Sequence, residues 1–367
     1  MDWLSRAVPQ AQGLYPYVPG KPVEQLLREK GLSSAVKLAS NENPYGASPK
    51  AMVAMRAAAS EVHRYPDGDC TALKQALADK HAVDVGQVLL GNGSNEVLEL
   101  IIRSFAGAGD EVVYSQRAFI VYALATQAAG ASQVAVPDTA ALGHDLPAMA
   151  AAVTERTKVV CIANPNNPTG TLLRMAEIQA FLDSLPRHIV VILDEAYYEF
   201  VAAELGDSLK ELKHPGLVIS RTFSKAYGLA GCRVGYAIAD VGLVSVINRF
   251  REPFNVNSLA QAAALAALDD VAWVMEKVQL VSVQRRRLEI AFSDLGVAGG
   301  KSYGNFVLLK HLQVAVLLEG LENQGVIPRP LAAYGMADYL RISVGTAEEN
   351  TALLTSLESV LAGLKST

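Results

Sequence analysis

The sequence lacks the features that mark metal proteins and disulfide-stabilised proteins. Only three of its 367 residues are cysteine, at Cys70, Cys161 and Cys232, and they form no CxxC spacing. Its six histidines form neither an HxH nor an HExxH pattern. Because the cysteines are few, odd in number and far apart, we expect no disulfide framework and no metal site. A reducing, cytoplasmic setting is the natural expectation for such a chain.

Long runs of charge and long apolar runs are also missing. The net charge of −5 comes from 32 basic and 37 acidic residues without a block of one sign, which gives little support to a nucleic-acid surface. The start, MDWLSRAVPQAQG, has no basic region followed by an apolar run, so we expect no signal peptide. Residues 118–137 carry no charge, but their Thr, Gln and Ser residues favour a core helix and strand over a membrane span.

What the chain does contain is an alternation of apolar, strand-like segments and helical segments from about residue 87. Segments such as Val190–Leu193 are apolar without alternation, as in strands buried on both faces of a sheet. The pattern predicts strands at 87–90, 111–115, 132–137, 158–163, 189–194, 216–220 and 233–239, and helices at 94–105, 119–129 and 175–185. Such alternation predicts an α/β domain with a mostly parallel central sheet flanked by helices.

The pattern changes after about residue 257. One long helical segment is predicted over 258–288, and shorter strands and helices follow at 305–310, 313–324, 339–344 and from Glu348 onward. This mixture predicts a smaller α+β domain. We therefore expect an N-terminal arm or small-domain segment (1–40), a large domain (41–257) and a C-terminal small domain (258–367).

Polar or glycine-rich segments follow four of the predicted strands. They are GNGSNE (91–96), NPNNPTG (164–170), DEAYYEF (194–200) and RTFSKAYG (221–228). Ligands of an open parallel sheet bind at the carboxyl ends of its strands. We therefore expect one site assembled from these four segments. In GNGSNE, the amides of Ser94 and Asn95 begin a helix and suit a phosphate, although an ordinary turn with a helix cap is the alternative.

Asp194 and Lys225 are the candidate groups for chemistry. Asp194 ends an apolar strand, where a buried carboxylate needs a cationic partner such as a protonated ring nitrogen; a helix cap is the alternative. Lys225 lies among small and aromatic residues with Arg221 and Arg233 nearby. A desolvated lysine near positive charge has a nucleophilic amine, whereas the alternative is a solvated loop lysine. A reactive lysine, a phosphate cradle and a buried carboxylate are the set that pyridoxal phosphate requires.

Six segments, in this order along the chain, resemble those of the fold-type I pyridoxal-phosphate aminotransferases, and within them the histidinol-phosphate aminotransferases. They are KLASNENPYGASP, RYPDG, NPNNPTG, LDEAYYEF, RTFSKAYGLAGCRVGY and YLRISVG. The resemblance implies a homodimer with shared active sites that binds pyridoxal 5'-phosphate. It also implies transamination between histidinol phosphate and 2-oxoglutarate, giving imidazole acetol phosphate and glutamate in histidine biosynthesis. An aromatic aminotransferase and a threonine-phosphate decarboxylase share this layout and stay open.

The resemblance also implies roles for individual residues. Lys225 is the implied Schiff-base lysine and proton shuttle, Asp194 the partner of the pyridine nitrogen, and Phe119 the stacking ring, although SQRAF replaces a Pro-Thr-aromatic sequence there. The implied donors to the cofactor's phenolic oxygen are Asn164 and Tyr197. The implied phosphate ligands are Ser94, Asn95, Thr222, Ser224 and Arg233, with Tyr65 from the neighbouring subunit.

Three further residues are implied to bind substrate. Arg341 matches the arginine that holds an acidic group of the substrate, and its guanidinium fork suits a carboxylate or phosphate. Arg329 and Tyr17 match positions that help to hold the phosphate of histidinol phosphate. A surface loop arginine is the alternative for Arg329, and the role of Asn43 is left open.

Overall fold

The computed structural model describes residues 2–13 and 19–365. Its strands are β1 (Val36–Lys37), β2 (Val88–Gly91), β3 (Glu111–Ser115), β4 (Ser132–Val136), β5 (Thr157–Ala163), β6 (Val190–Asp194), β7 (Leu217–Thr222), β8 (Gly235–Ile238), β9 (Phe306–Lys310), β10 (Val326–Ile327), β11 (Arg329–Leu331) and β12 (Met336–Ser343). Its helices are α1 (Pro9–Gln12), α2 (Val23–Lys30), α3 (Pro49–Ala58), α4 (Thr71–His81), α5 (Ser94–Phe105), α6 (Val121–Ala129), α7 (Leu146–Ala151), α8 (Met175–Ser184), α9 (Ala202–Leu205), α10 (Ser208–Glu211), α11 (Val241–Ile247), α12 (Ser258–Leu268), α13 (Val271–Asp294), α14 (Val314–Asn323) and α15 (Ala347–Lys365).

The central sheet has seven strands in the order β2-β8-β7-β6-β5-β3-β4. Only β8 runs against the others: it pairs antiparallel with β2 and β7, and the remaining pairs are parallel. Both faces are covered, since Val159 and Cys161 of β5 pack with α5 and α6, whereas Val160 and Ile162 pack with α7 and α8. Burial on both faces explains the uninterrupted apolar runs. The predicted mostly parallel sheet flanked by helices is confirmed.

The predicted helix over 258–288 is wrong in one respect, because two helices occupy this stretch. α12 and α13 are separated at Asp269 and Asp270, and their axes differ by 85°. Aspartate side chains compete with the backbone for hydrogen bonds and favour helix ends over helix interiors. The bend lets the alanine-rich α12 pack beneath α3 while α13 runs towards the smaller sheets.

The C-terminal part contains two smaller sheets. One has the order β11-β12-β9 and is antiparallel, with Arg329 of β11 opposite Arg341 of β12 in the register. The other is the parallel pair β1 and β10, which joins the N-terminal segment to the C-terminal part. The paired strands place the N-terminal segment beside the small sheets. The domain limits of 1–40, 41–257 and 258–367 stay a prediction.

Membrane-spanning helices and metal-binding clusters are two features that would change the class of this protein. No single helix in the described part of the chain has both the length and the apolar composition to cross a membrane; one bent pair, α12 with α13, meets these two criteria when its members are taken together. No group of three or more His, Cys, Asp or Glu side chains in residues 2–13 and 19–365 is arranged to hold a metal ion.

Candidate active site

A cavity of about 390 Å³ lies at the carboxyl ends of the central strands. The strand register aligns Ala163, Asp194 and Ser220 across β5, β6 and β7, so the segments that follow these strands begin at one edge of the sheet. The predicted residues that line the cavity are Ser94, Asn95, Phe119, Asp194, Tyr197, Thr222, Ser224, Lys225, Arg233, Arg329 and Arg341. The expected assembly of one site from distant strand ends is therefore present.

Lys225 follows β7 and directs its amine into the cavity. Its Nζ donates a hydrogen bond to the Ser40 carbonyl at 3.2 Å and lies 5.9 Å from the centre of the Tyr197 ring. Removal from water, together with the charges of Arg341 and Arg233, lowers the pKa of this amine to about 8. The lowered pKa gives Lys225 a minor neutral fraction near neutral pH that can act as a nucleophile, which favours the reactive interpretation over a solvated loop lysine.

Asp194 is buried at the end of β6 and keeps one carboxylate oxygen for a ligand. Its Oδ2 accepts a hydrogen bond from the Tyr122 hydroxyl at 2.8 Å. Its Oδ1 is buried and has no hydrogen-bond partner among the described residues. Burial raises the pKa of Asp194 to about 6, although the hydrogen bond from Tyr122 and the nearby Ala196 amide oppose this rise. An ionised Asp194 therefore calls for a cation from the ligand, as a protonated ring nitrogen would provide.

Arg221 turns away from the cavity, although it is only four residues before Lys225. Its guanidinium nitrogen Nη2 lies 2.8 Å from Glu195 Oε2, and its Nε donates to the same oxygen at 2.9 Å. The guanidinium carbon also lies 3.6 Å from the centre of the Tyr198 ring. Arg221 is thus engaged in a buried ion pair, and of the two arginines flanking Lys225 only Arg233 lines the cavity.

The start of α5 and Arg233 form an anion-binding cradle. Ser94 and Asn95 are the first residues of α5, and both line the cavity. The first amides of a helix have no partner within the helix and suit an anion. Gly93 has φ +82°, and a Cβ there would collide with the Arg233 guanidinium. Arg233 in turn is held by a 3.0 Å hydrogen bond from Nη1 to the Ala230 carbonyl. A helix N-terminus beside a guanidinium favours a phosphate.

Two hydroxyl side chains complete this cradle after β7. Thr222 and Ser224 are both buried and line the cavity. The Thr222 Oγ1 accepts a 3.1 Å hydrogen bond from the Ser224 amide, which fixes the turn that leads to Lys225. The cradle, the Asp194 Oδ1 and the Lys225 amine match the phosphate, ring nitrogen and aldehyde of pyridoxal phosphate, so the donor set fits this cofactor.

Two arginines from the smaller antiparallel sheet also line the cavity. Arg341 is buried, and it donates to Asn167 Oδ1 at 2.5 Å and to the Ala39 carbonyl at 2.8 Å. Arg329 is opposite it in the strand register and also lines the cavity. Arg329 therefore belongs to a strand that faces the site, contrary to the surface-loop alternative. Tyr17 lies outside the described residues.

Asn164, predicted as a donor to the cofactor's phenolic oxygen, does not line the cavity. Its Nδ2 donates to the Leu173 carbonyl at 3.2 Å, and its Oδ1 accepts from the Leu173 amide at 2.8 Å. Its own amide donates to the Asp194 carbonyl, so Asn164 still belongs to the sheet. Three residues further on, Asn167 lines the cavity instead. The NPNNPTG segment contains three asparagines. Asn164 is still bonded to the sheet, so the asparagine that lines the cavity is the later Asn167.

Two aromatic residues predicted to contact the cofactor line the same cavity as Asp194 and Lys225. Tyr197 is buried, and its hydroxyl accepts a hydrogen bond from Asn41 Nδ2 at 2.9 Å. The Phe119 ring meets Tyr122 edge-on, with 6.1 Å between the ring centres. Asn41 was not predicted, although it lies in the SNENPYG segment whose side chains reach the site.

Tyr65 and Asn43 do not line the cavity. Tyr65 is 84% exposed and stacks on Phe254, with 4.7 Å between the ring centres. Asn43 donates from Nδ2 to the Ala226 carbonyl at 2.9 Å. Asn43 therefore braces the turn beside Lys225, which answers the question left open by the sequence.

Fold and site together define a class: an α/β enzyme whose strand ends present a nucleophilic lysine, a buried carboxylate and an anion cradle to one cofactor-sized cavity. The chain belongs to the aminotransferase class I and II family, whose model matches residues 33–357.

Individual relatives agree with this family. The chain is 50% identical over 366 residues to histidinol-phosphate aminotransferase 2 of Pseudomonas fluorescens, covering 98% of this chain and 99% of that one. It is likewise 50% identical, with the same coverage, to histidinol-phosphate aminotransferase 2 of Pseudomonas aeruginosa. Among solved structures, the histidinol-phosphate aminotransferase of Sinorhizobium meliloti in complex with pyridoxal 5'-phosphate superposes with a TM-score of 0.90 at 31% identity, covering 98% of both chains.

Proposed function

We propose that this protein is a pyridoxal-phosphate-dependent aminotransferase acting in histidine biosynthesis. It transfers the amino group of histidinol phosphate to 2-oxoglutarate and so produces imidazole acetol phosphate and glutamate. The observation that carries the proposal is that Lys225 and Asp194 line one cavity. The Lys225 amine has a lowered pKa, and the Asp194 Oδ1 has no hydrogen-bond partner among the described residues. Half of the residues are identical to those of histidinol-phosphate aminotransferases over nearly the full length, which supports the substrate assignment.

The cofactor would be held along the strand ends. Lys225 holds its aldehyde carbon, Asp194 holds the proton on its ring nitrogen, and Phe119 stacks on the ring. Asn167 and Tyr197 supply the polar contacts to its phenolic oxygen. The phosphate ligands are Ser94, Asn95, Thr222, Ser224 and Arg233. When bound, the cofactor supplies a carbon that takes up the amino group and a ring that accepts an electron pair.

Lys225 also moves the proton. Once its amine is released, it removes the proton from the amine-bearing carbon of the substrate and later returns a proton on the same side of the site. A pKa of about 8 leaves part of the Lys225 population neutral near pH 7, as a general base requires. The negative charge of Asp194 would favour the protonated, positively charged form of the ring nitrogen, which is the form of the ring that accepts electrons.

Arg341 and Arg329 bind the acidic group of each substrate in turn. Both guanidinium groups reach the cavity from neighbouring strands of the small sheet. A guanidinium fork donates hydrogen bonds to either a phosphate or a carboxylate, so one pair of arginines serves histidinol phosphate and 2-oxoglutarate. Since the two substrates occupy the same cavity successively, ping-pong kinetics are expected.

We also propose a cytoplasmic homodimer with shared active sites. Tyr65 would reach the cofactor phosphate of the neighbouring subunit. Its 84% exposure and its separation from the cavity of its own chain support this assignment. The sparse, unpaired cysteines support the cellular location.

Spectroscopy of the purified protein tests the proposal. The cofactor-loaded protein should absorb visible light, and L-glutamate and histidinol phosphate should each remove that absorption band. A band that responds to phenylalanine and not to histidinol phosphate would show an aromatic aminotransferase instead. Release of carbon dioxide from threonine phosphate would show a decarboxylase.

A further inference from the structure

The hydroxyl of Tyr122 is the one side-chain group in the described residues that donates a hydrogen bond to Asp194. The distance from this hydroxyl to Asp194 Oδ2 is 2.8 Å. Tyr122 belongs to α6 and is fully buried. The two oxygens of Asp194 are therefore unequal: Oδ2 is bound by the protein, and Oδ1 is left for a ligand.

Packing fixes the Tyr122 ring in this position. Phe119 meets it edge-on, with 6.1 Å between ring centres, and Tyr114 packs against it with 6.4 Å between ring centres. In a densely packed interior a ring held on two sides has little freedom to turn its hydroxyl away. Tyr122 therefore sets the rotation of the Asp194 carboxylate as well as its hydrogen bonding.

Several titratable groups face Asp194 from the elements around it. They are Tyr122 on α6, Cys161 on β5, Glu195 and Tyr197 after β6, and Lys225 after β7. Burial raises the pKa of the Tyr122 hydroxyl and of the Cys161 thiol well above their ordinary values. Tyr122 consequently stays neutral and remains a donor, and a donor stabilises the ionised form of its acceptor.

We propose that Tyr122 is a positioning residue that keeps Asp194 ionised and aims its free oxygen at the ring nitrogen of the cofactor. This inference rests on the proposed function, since it concerns the same cofactor. Tyr122 acts through Asp194 and does not itself line the cavity.

The Tyr122→Phe variant removes a single oxygen and keeps the ring that packs against Phe119. Without the hydroxyl, the Asp194 anion loses its side-chain donor and takes up a proton at higher pH. A protonated Asp194 no longer pairs with a protonated ring nitrogen. As the pH is lowered, the variant should therefore lose affinity for the cofactor at a higher pH than the wild type does. We expect the midpoint of this loss to move up by about one pH unit, as for the loss of one hydrogen bond to a charged group.

The experiment measures the dissociation constant of pyridoxal phosphate for the full-length, cofactor-free protein as a function of pH. The matched control is Tyr114→Phe, because Tyr114 is also buried, packs against Tyr122, and donates its hydroxyl to Gln133 at 2.8 Å and not to Asp194. The control should keep the wild-type midpoint. A midpoint for Tyr122→Phe equal to that of Tyr114→Phe would overturn the inference.

A second replacement keeps the experiment decisive if Tyr122→Phe does not fold. An ortho-fluorotyrosine at this position retains the shape, and its more acidic hydroxyl is a stronger donor, so the midpoint should move down. An unchanged midpoint in that variant would again overturn the role of Tyr122. A wild-type protein that takes up no pyridoxal phosphate would overturn the proposed function together with the inference, which separates the two failures.

Discussion

Two carboxylates at the end of β6 occupy adjacent positions and have opposite surroundings. Glu195 is buried against Arg221, whose Nη2 lies 2.8 Å from it. Asp194 is equally buried, but no Lys or Arg among the described residues lies within ion-pair distance of it. Neighbouring residues of an extended chain point to opposite faces, so the protein has a cavity side with Asp194 and Lys225 and an ion-pair side with Glu195 and Arg221.

The difference teaches how to separate a structural charge from a functional one. A buried carboxylate with a cation from its own chain is already neutralised, and its removal leaves that cation exposed to an apolar interior. Burial raises the pKa of both carboxyl groups, to about 6 for Asp194, but only for Glu195 does an arginine within ion-pair distance oppose the rise. A ligand that brings a positive charge would stabilise the anionic form of Asp194, as Arg221 does for Glu195.

The largest effect is expected on the cavity side, for Lys225→Ala. Without the amine, no group in the cavity replaces the proton transfer and the covalent contact, so turnover should fall by at least about a thousandfold. The measurement is the rate of glutamate formation from histidinol phosphate and 2-oxoglutarate. The matched control is Lys210→Ala, since Lys210 is an exposed lysine paired with Asp207, and its rate should not change. Normal turnover of Lys225→Ala would contradict the assigned role.

The next effect is expected for Asp194→Asn, which keeps the shape and removes the charge. An amide cannot neutralise a protonated ring nitrogen, so kcat/KM should fall by about a hundredfold or more, as for other losses of electrostatic stabilisation. The free energy of unfolding of the cofactor-free protein should not fall, because a buried charge is removed. Steady-state kinetics and urea denaturation measure the two quantities. Wild-type kinetics in Asp194→Asn would contradict the functional role that distinguishes Asp194 from Glu195.

Glu195→Gln should show the reverse pattern on the ion-pair side. It leaves Arg221 buried without its carboxylate, so the free energy of unfolding should fall by about 3–5 kcal/mol. Activity per folded molecule should stay close to that of the wild type. Replacing both members, as in Glu195→Gln with Arg221→Met, should recover part of the lost stability, because the guanidinium is no longer buried without Glu195. If Glu195→Gln lost activity while its free energy of unfolding stayed unchanged, Glu195 would be a functional carboxylate and the contrast with Asp194 would be wrong.

The smallest effect is the pH dependence that Asp194 gives to the cofactor-free protein. Its pKa is raised from 3.8 to about 6 in the folded state, so between these pH values the folded state binds more protons than the unfolded state. Asp194 therefore contributes stability that is present below pH 3.8 and is lost as the pH rises through 6, by at most about 3 kcal/mol. Denaturation of the wild type and of Asp194→Asn across this range should differ in slope. Parallel curves would show that burial does not shift this carboxyl.

The sequence predicts some parts of this protein well because burial leaves a local signal. The strands from β2 to β8 lie within about two residues of their predicted positions, since both faces of the sheet demand apolar side chains. Lys225 and Asp194 were identifiable because a charged residue among apolar neighbours requires an explanation. Even the break between α12 and α13 left a trace in the consecutive residues Asp269 and Asp270.

Other parts depend on contacts that no local pattern contains. The side chain of Asn164 is drawn to the Leu173 backbone, so Asn167 faces the cavity, and nothing in NPNNPTG distinguishes these two. Arg221 turns to Glu195, 26 positions away in the chain. Tyr122 resembles any core residue of an apolar helix until the fold places Asp194, 72 positions later, beside its hydroxyl.

The most direct test of the two-sided site is to locate the covalent contact with the cofactor. The wild-type protein is loaded with pyridoxal phosphate, reduced with borohydride, digested and analysed by mass spectrometry. Lys225 should carry the reduced cofactor, and the peptide should be unmodified in Lys225→Ala. A reduced cofactor attached to another lysine, with Lys225 unmodified, would contradict the account.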